Sequence, residues 1–115
     1  MFNKETSVFK VIDAETIIAS GSHTSPAINV GKADGFFSVE YTTTGTGTTT
    51  IEYLISSSKI GTFVTPSTAS AIATAAAAGS DLISFSPVVA KYMKIKATEA
   101  GGANPVVITA RLIFQ

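Results

Sequence analysis

The stretch Gly35-Phe36-Phe37-Ser38-Val39-Glu40-Tyr41-Thr42-Thr43, followed by Thr44-Gly45-Thr46-Gly47 and then Thr48-Thr49-Thr50-Ile51-Glu52-Tyr53-Leu54-Ile55-Ser56-Ser57, decides the fold class. Phe37, Val39 and Tyr41 alternate with Ser38, Glu40 and Thr42. Ile51, Tyr53 and Ile55 then stand on one side, with Glu52 on the other. Period-2 alternation is the signature of a strand with one buried face. The Thr/Gly run between the two arms is turn chemistry, so the pair reads as a β-hairpin.

Working outward, the pattern recurs. Ser7 to Asp13 reads as a strand with Val8, Lys10 and Ile12 on one side and Phe9 and Val11 on the other. Thr16 to Ser20 is a second short strand, ended by Gly21-Ser22, and Ala27 to Val30 is a third after Pro26. Gly61 to Val64 reads as a short strand or its remnant. Leu82 to Ser86 is stopped by Pro87. Ala90 to Thr98 puts Met93, Ile95 and Ala97 on one face and Tyr92, Lys94 and Lys96 on the other. Glu99 to Asn104 forms a turn. Pro105 opens the last strand, where no ladder donor is needed. In that strand Val106, Ile108, Ala110, Leu112 and Phe114 alternate with Val107, Thr109, Arg111, Ile113 and Gln115. Pro66 to Ser80 is ambiguous: alanine favours helix, while its Ser, Thr and Gly residues favour a loop. The sum is an all-β chain, a single β-sandwich of jelly-roll type over 1–115 with about eight short antiparallel strands; a barrel is the alternative. Phe37, Val39, Ile51, Tyr53, Ile95, Leu112 and Phe114 form the expected core.

Composition limits the function. The 115 residues fit one domain. There is no cysteine, which excludes disulfides, thiolate metal sites and cysteine nucleophiles. Formal net charge is +0 and 14% of residues are charged. Nucleic-acid binding needs a basic footprint that this balance does not supply. Sparse, balanced charge also favours association over dispersal. The first residues carry no long apolar run, so a signal peptide is not expected, and no stretch approaches the ~18 apolar residues of a membrane span.

Constellations for chemistry are missing. His23, the sole histidine, lies in Gly21-Ser22-His23-Thr24-Ser25-Pro26, a loop by composition, and no Gly-x-Ser-x-Gly elbow presents a serine to it. Asp13, Glu15, Asp34 and Asp81 read as isolated turn acids, not as a glycosidase pair or a calcium loop. Gly45-Thr46-Gly47 lacks the Lys-Ser that would make a phosphate loop. Lys91, Lys94 and Lys96 read as a solvated strand face that also discourages edge pairing. No catalytic, metal or cofactor residue is therefore expected, and no enzyme. Phe36, Tyr92, Val107 and Ile113 each fall opposite the better apolar stripe of their strand. They form either an exposed interface patch or the second face of strands buried on both sides.

Two blocks carry a resemblance. One is Gly35 to Tyr41, the Thr/Gly turn, Ile51 to Ser58 and Gly61-Thr62-Phe63. The other is Ile83-Ser84-Phe85-Ser86-Pro87, Ala90 to Ala97 and the final strand. Their order resembles small β-sandwich proteins encoded among the structural genes of tailed bacteriophages, often capsid decoration (cement) or other virion accessory proteins. The resemblance implies a structural virion protein, located in the virion, whose partners are its own copies and major capsid or tail proteins, with neither nucleic acid nor membrane. The same blocks also resemble discoidin-like and carbohydrate-binding jelly rolls, which implies a glycan-recognition module instead. Against that second likeness, Phe63 stands where tryptophan is common, Lys91-Tyr92 replaces an arginine-tyrosine pair, and the chain has no tryptophan for sugar stacking.

Overall fold

The computed structural model describes residues 5–66 and 71–115. Among them there are nine strands and no helix: β1 (Ser7–Ile17), β2 (Ser22–Thr24), β3 (Ile28–Asn29), β4 (Phe37–Gly45), β5 (Thr49–Ser56), β6 (Ala71–Ala76), β7 (Gly79–Phe85), β8 (Tyr92–Glu99) and β9 (Val106–Phe114). They form two antiparallel sheets. One has the order β1-β9-β4-β7; the other has the order β2-β8-β5-β6, with β3 also pairing β8. With no helix among the described residues, no helix is long and apolar enough to cross a membrane, which says nothing of a β-barrel.

The alternation read from the sequence becomes the core. Phe37, Val39 and Tyr41 of β4 face Ile51, Tyr53 and Ile55 of β5, and Met93, Ile95 and Ala97 of β8 face Val106, Ile108, Ala110, Leu112 and Phe114 of β9; all are buried. Every one of the seven expected core residues is among them.

The expected hairpin is not one. β4 pairs with β7 and β9, and β5 pairs with β6 and β8. The Thr/Gly turn carries the chain from one sheet to the other. So do the β1–β2, β6–β7 and β8–β9 connections, and all four corners lie at the same end of the sandwich. Gly45 makes the corner possible with φ of 105°, a region that disfavours side chains. Gly47 is needed for space, because a Cβ there would sit 2.6 Å from the Asn104 carbonyl oxygen.

Other expectations are corrected. The two N-terminal strands are one, β1, which bulges twice against β9. The first bulge buries both Val11 and Ile12 and leaves Val8 and Lys10 outside, so Ile12 does not share their side. The second places Ala14 at φ 48° and carries Asp13 and Glu15 within the strand, not in a turn. The Pro66–Ser80 segment is mostly strand where it is described: Ala71–Ala76 is β6 and Gly79 begins β7, with Ala77 and Ala78 as the turn between them, while 67–70 lie outside the described residues. Tertiary context overrides alanine's helix preference here, because Ala73 fills a core position beside Ile51 that a larger side chain would overpack. Of Gly61–Val64, only Val64 pairs, bridging Ile55.

Two buried hydroxyls test this packing. Ser25 is buried between β2 and β3. Its Oγ accepts the Ile95 N–H at 2.9 Å, and its own N–H donates to the Ile95 carbonyl at 2.8 Å, so one serine continues the ladder across the gap. Ser25→Ala should cost about 1–3 kcal/mol, the usual penalty for a stranded buried donor, measurable by urea unfolding. Thr49 Oγ1 is buried with no partner among the described residues. Thr49→Val should therefore be neutral or stabilising by about 1 kcal/mol, against the usual destabilisation of a core change.

Candidate functional site: the apolar end of the sandwich

The two ends of the sandwich differ in chemistry. At the corner end, the Glu99 side chain is 2% exposed and accepts four backbone N–H bonds. Oε1 takes those of Ser20 (3.1 Å) and Gly102 (2.7 Å), and Oε2 those of Thr48 (3.0 Å) and Gly101 (2.7 Å). One carboxylate thus ties the β1–β2, β4–β5 and β8–β9 corners together. These bonds, that from Ser20 foremost, outweigh desolvation and hold its pKa down to about 2. Sequence reading placed Glu99 in a turn and gave it no role. Its signal was a lone acid two residues before Gly101-Gly102, a turn rich in available N–H groups.

The opposite end is apolar. Of the large exposed hydrophobics, Val8, Phe9, Phe36, Ile60, Val64, Val88 and Val89 lie where β1 begins, β4 begins, β5 ends or β7 passes to β8, while Ile18 lies at the corner end and Leu82 midway along β7. Phe36 is 69% exposed and Val89 97%. At the same end is a cluster of aromatic rings in mutual contact. Phe37 lies 5.6 Å from Phe114 and 5.7 Å from Phe85; Phe114 stacks on Phe9 at 5.7 Å; Phe85 meets Tyr53 at 5.5 Å. Such contacts fix ring positions as well as burying area. The loops at this end are tethered. Gln115 N–H donates to the Phe36 carbonyl at 3.0 Å, Asp34 N–H donates to the Gln115 carbonyl at 2.7 Å, and Val88 N–H donates to the Tyr53 hydroxyl at 3.1 Å.

A groove of 320 Å³ opens at this end between Phe36, Phe85, Ile113 and Phe114, rimmed by Ser38, Ser84, Ser86 and Gln115. A smaller one of 70 Å³ lies under Pro87, Val88 and Val89, against Phe37 and Met93. Of the four residues singled out from sequence, Phe36 and Ile113 share the 320 Å³ groove. Val107 lies on the same outer sheet face as Ile113 but at the other end of β9, about 20 Å away at the rise of a strand. Tyr92 lies on the outer face of the other sheet. Ile113, Val107 and Tyr92 are half-buried. Sequence reading passed over Val88 and Val89, although two adjacent valines between Pro87 and Ala90, outside any alternation, were a visible sign of apolar side chains in a loop.

Titratable groups are dispersed. His23 belongs to β2 and not to a loop, with Nδ1 3.9 Å from Glu15 Oε2. Asp13 pairs with Lys10 at 3.7 Å. Asp81 lies in β7, not in a turn. Among the described residues no three His, Cys, Asp or Glu side chains converge as metal ligands would. On the outer face of β8, Lys94 lies over the Phe63 ring at 4.4 Å and Lys96 is 3.9 Å from Glu52. Arg111 of β9 is 3.6 Å from Glu40 of β4. Lys94, Lys96 and Arg111 are thus divided between two sheet faces, each beside a ring or a carboxylate.

No protein-family model matches the chain, and no curated protein matches its sequence. Among solved structures, the chain is similar to one from the infectious bursal disease virus Gx strain, at 18% identity and a TM-score of 0.47. The match covers 95% of this chain and 31% of that one, so this chain spans under a third of that protein's length. It is also similar to a subunit of Bacillus endospore appendages, a family of disulfide-linked pili (20% identity, TM-score 0.41, 98% and 91% covered). A third is CsCBM6-3 from Clostridium stercorarium, solved in complex with cellobiose (16% identity, TM-score 0.42, 95% and 82% covered). At such identities these likenesses concern the two-sheet fold and do not choose among functions.

Proposed function

We propose that this domain is a structural, non-enzymatic component of a tailed-bacteriophage virion, a capsid decoration or related accessory protein. It seats through its apolar end on a major capsid or tail protein and acts in several copies, with no cofactor, nucleic acid or membrane as partner. The observation that carries this reading is the gathering of exposed apolar side chains at one end, on tethered loops beside a cluster of aromatic rings. Large exposed apolar patches mark contact surfaces, and rigid presentation lowers the entropy cost of contact. The sparse charge and the sequence resemblance to particle proteins support it.

The test is co-sedimentation of the labelled domain with purified particles. Phe36→Asp combined with Val89→Asp should weaken binding at least about tenfold, as loss of a central apolar anchor does. Raising salt should change binding far less than that, because screening acts on charges. Unchanged binding by the double variant would remove the apolar end from the account.

A second reading, a glycan-recognition module, is favoured by one feature. The 320 Å³ groove is lined by Phe36 together with Ser38, Ser84 and Gln115, a mixture of residues that suits a sugar's apolar face and its hydroxyls. Retention on a glycan array, lost on Phe36→Ala, would support it.

A further inference from the structure

The two outer strands of the β1-β9-β4-β7 sheet are protected unequally. β1 carries Lys10, Asp13 and Glu15 and is broken by two bulges, the usual devices that stop a sheet edge from pairing with another chain. β7 has no bulge and a single charged residue, Asp81. It runs Gly79–Phe85 in unbroken register with β4, contains no lysine or proline, and is exposed over most of its length. Among the described residues no strand lies on its other side.

The direction of its amides can be read from one hydrogen bond. Leu82 N–H donates to Oδ1 of Asp81, its neighbour, at 2.8 Å, so it is turned away from β4. Amides alternate in direction along an antiparallel strand, so those of Ser80 and Ser84 also point outward. Leu82 is the midpoint of β7. Its side chain is 57% exposed on the outer face of the sheet.

We propose that β7 pairs edge to edge with β7 of a second copy, antiparallel about a two-fold axis at Leu82, which joins the two four-stranded sheets into one. This register is self-complementary. Leu82 meets Leu82 of the second copy, each Ser80 meets a Ser84, each Asp81 meets an Ile83, and each Gly79 meets a Phe85. The outward amides of Ser80, Leu82 and Ser84 fall on the hydrogen-bonded pairs, and the exposed leucines cover each other. No like charges stand directly opposed. The guarded β1 edge prevents a β7-to-β1 contact that would grow into a filament, so the assembly closes as a dimer. Asp81 restrains it, because its carboxylate holds the Leu82 N–H and lies near its own symmetry mate. A single seven-residue edge buries less than a standard interface, so the pairing is weak in dilute solution and is strengthened where a lattice holds copies close together. This inference extends the assembly reading but uses a different surface, and it is tested without particles.

Sedimentation equilibrium of the purified protein from micromolar to millimolar concentration should show a monomer–dimer equilibrium. Asp81→Asn should tighten it by about fivefold, the upper end for a cross-strand like-charge effect. Ser84→Pro removes an amide that the β4 ladder does not use, so it should weaken dimerisation at least about tenfold while leaving thermal unfolding of the monomer nearly unchanged. If Ser84→Pro disturbs folding, Leu82→Lys tests the same edge by opposing two charges. A strict monomer for both the native chain and Asp81→Asn would overturn the proposal. So would a dimer that Ser84→Pro or Leu82→Lys leaves intact. Phe36→Asp with Val89→Asp should dimerise normally, which separates failure here from failure of particle binding.

Discussion

Leu112→Ala should lower the stability of this domain by about 2–5 kcal/mol, and Ile51→Ala by a similar amount. Both side chains are fully buried, one in each sheet. Leu112 stands between Phe9 of β1 and Val39 of β4, so its removal opens a hole beside the aromatic cluster. Ile51 stands between Ala97 of β8 and Ala73 of β6, small neighbours that have little side chain with which to fill the space. Cavities that cannot collapse cost most, which places Ile51→Ala toward the upper end. Total stability for a domain of this size is of the order of 5–15 kcal/mol, so either change removes a large fraction of it. Urea unfolding followed by circular dichroism measures both. Midpoints that barely move would mean that the buried faces are wrongly assigned.

Glu99→Ala should also destabilise the fold, for a different reason. It leaves four backbone N–H groups from three corners without their acceptor at a place where little water reaches. Glu99→Gln is not a mild substitute, because the amide turns one of the two accepting oxygens into a donor facing donors. The pH dependence gives the sharper test. The folded-state pKa of about 2 lies below the ordinary 4.5, so the unfolded chain binds this proton more readily. The carboxylate's contribution is therefore complete above pH 4.5 and is lost as pH falls through about 2. Melting temperature should fall with acid over that window in the native chain. Glu99→Gln should start lower at neutral pH and lack that part of the fall. Identical profiles for the two proteins would show that the clamp does not hold the corners.

How much of this was legible follows from what a strand pattern encodes. Alternation reports which face is buried, and it identified Phe37, Val39, Ile51, Tyr53, Ile95, Leu112 and Phe114 correctly. It does not report which strand lies alongside. β4 and β5 each have one buried face whether they pair as a hairpin or oppose each other across the core, so the Thr/Gly turn was open to the wrong reading. The close approach of Gly47 to Asn104 that distinguishes the corner is a long-range contact with no local trace. β1 was divided because a bulge shifts the alternation by one residue, as the chain end of a strand also does. β6 was missed because its six residues include four alanines, and propensity is a weak guide where an edge strand covers a small core position. The candidate site was legible only in part. Phe36 and Ile113 meet at the groove, whereas Val107 and Tyr92 are carried to other surfaces by the strand length and sheet order.

Docking of the apolar end on a particle can be measured by quantitative mass spectrometry of purified tailed-phage virions from the source of the gene, with and without re-addition of the domain. The protein should be present in the particles at a fixed copy number. Stripped particles should recover that number with the native chain but not with Phe36→Asp combined with Val89→Asp. Virions that never contain the protein, or that take up the double variant as well as the native chain, would contradict this docking.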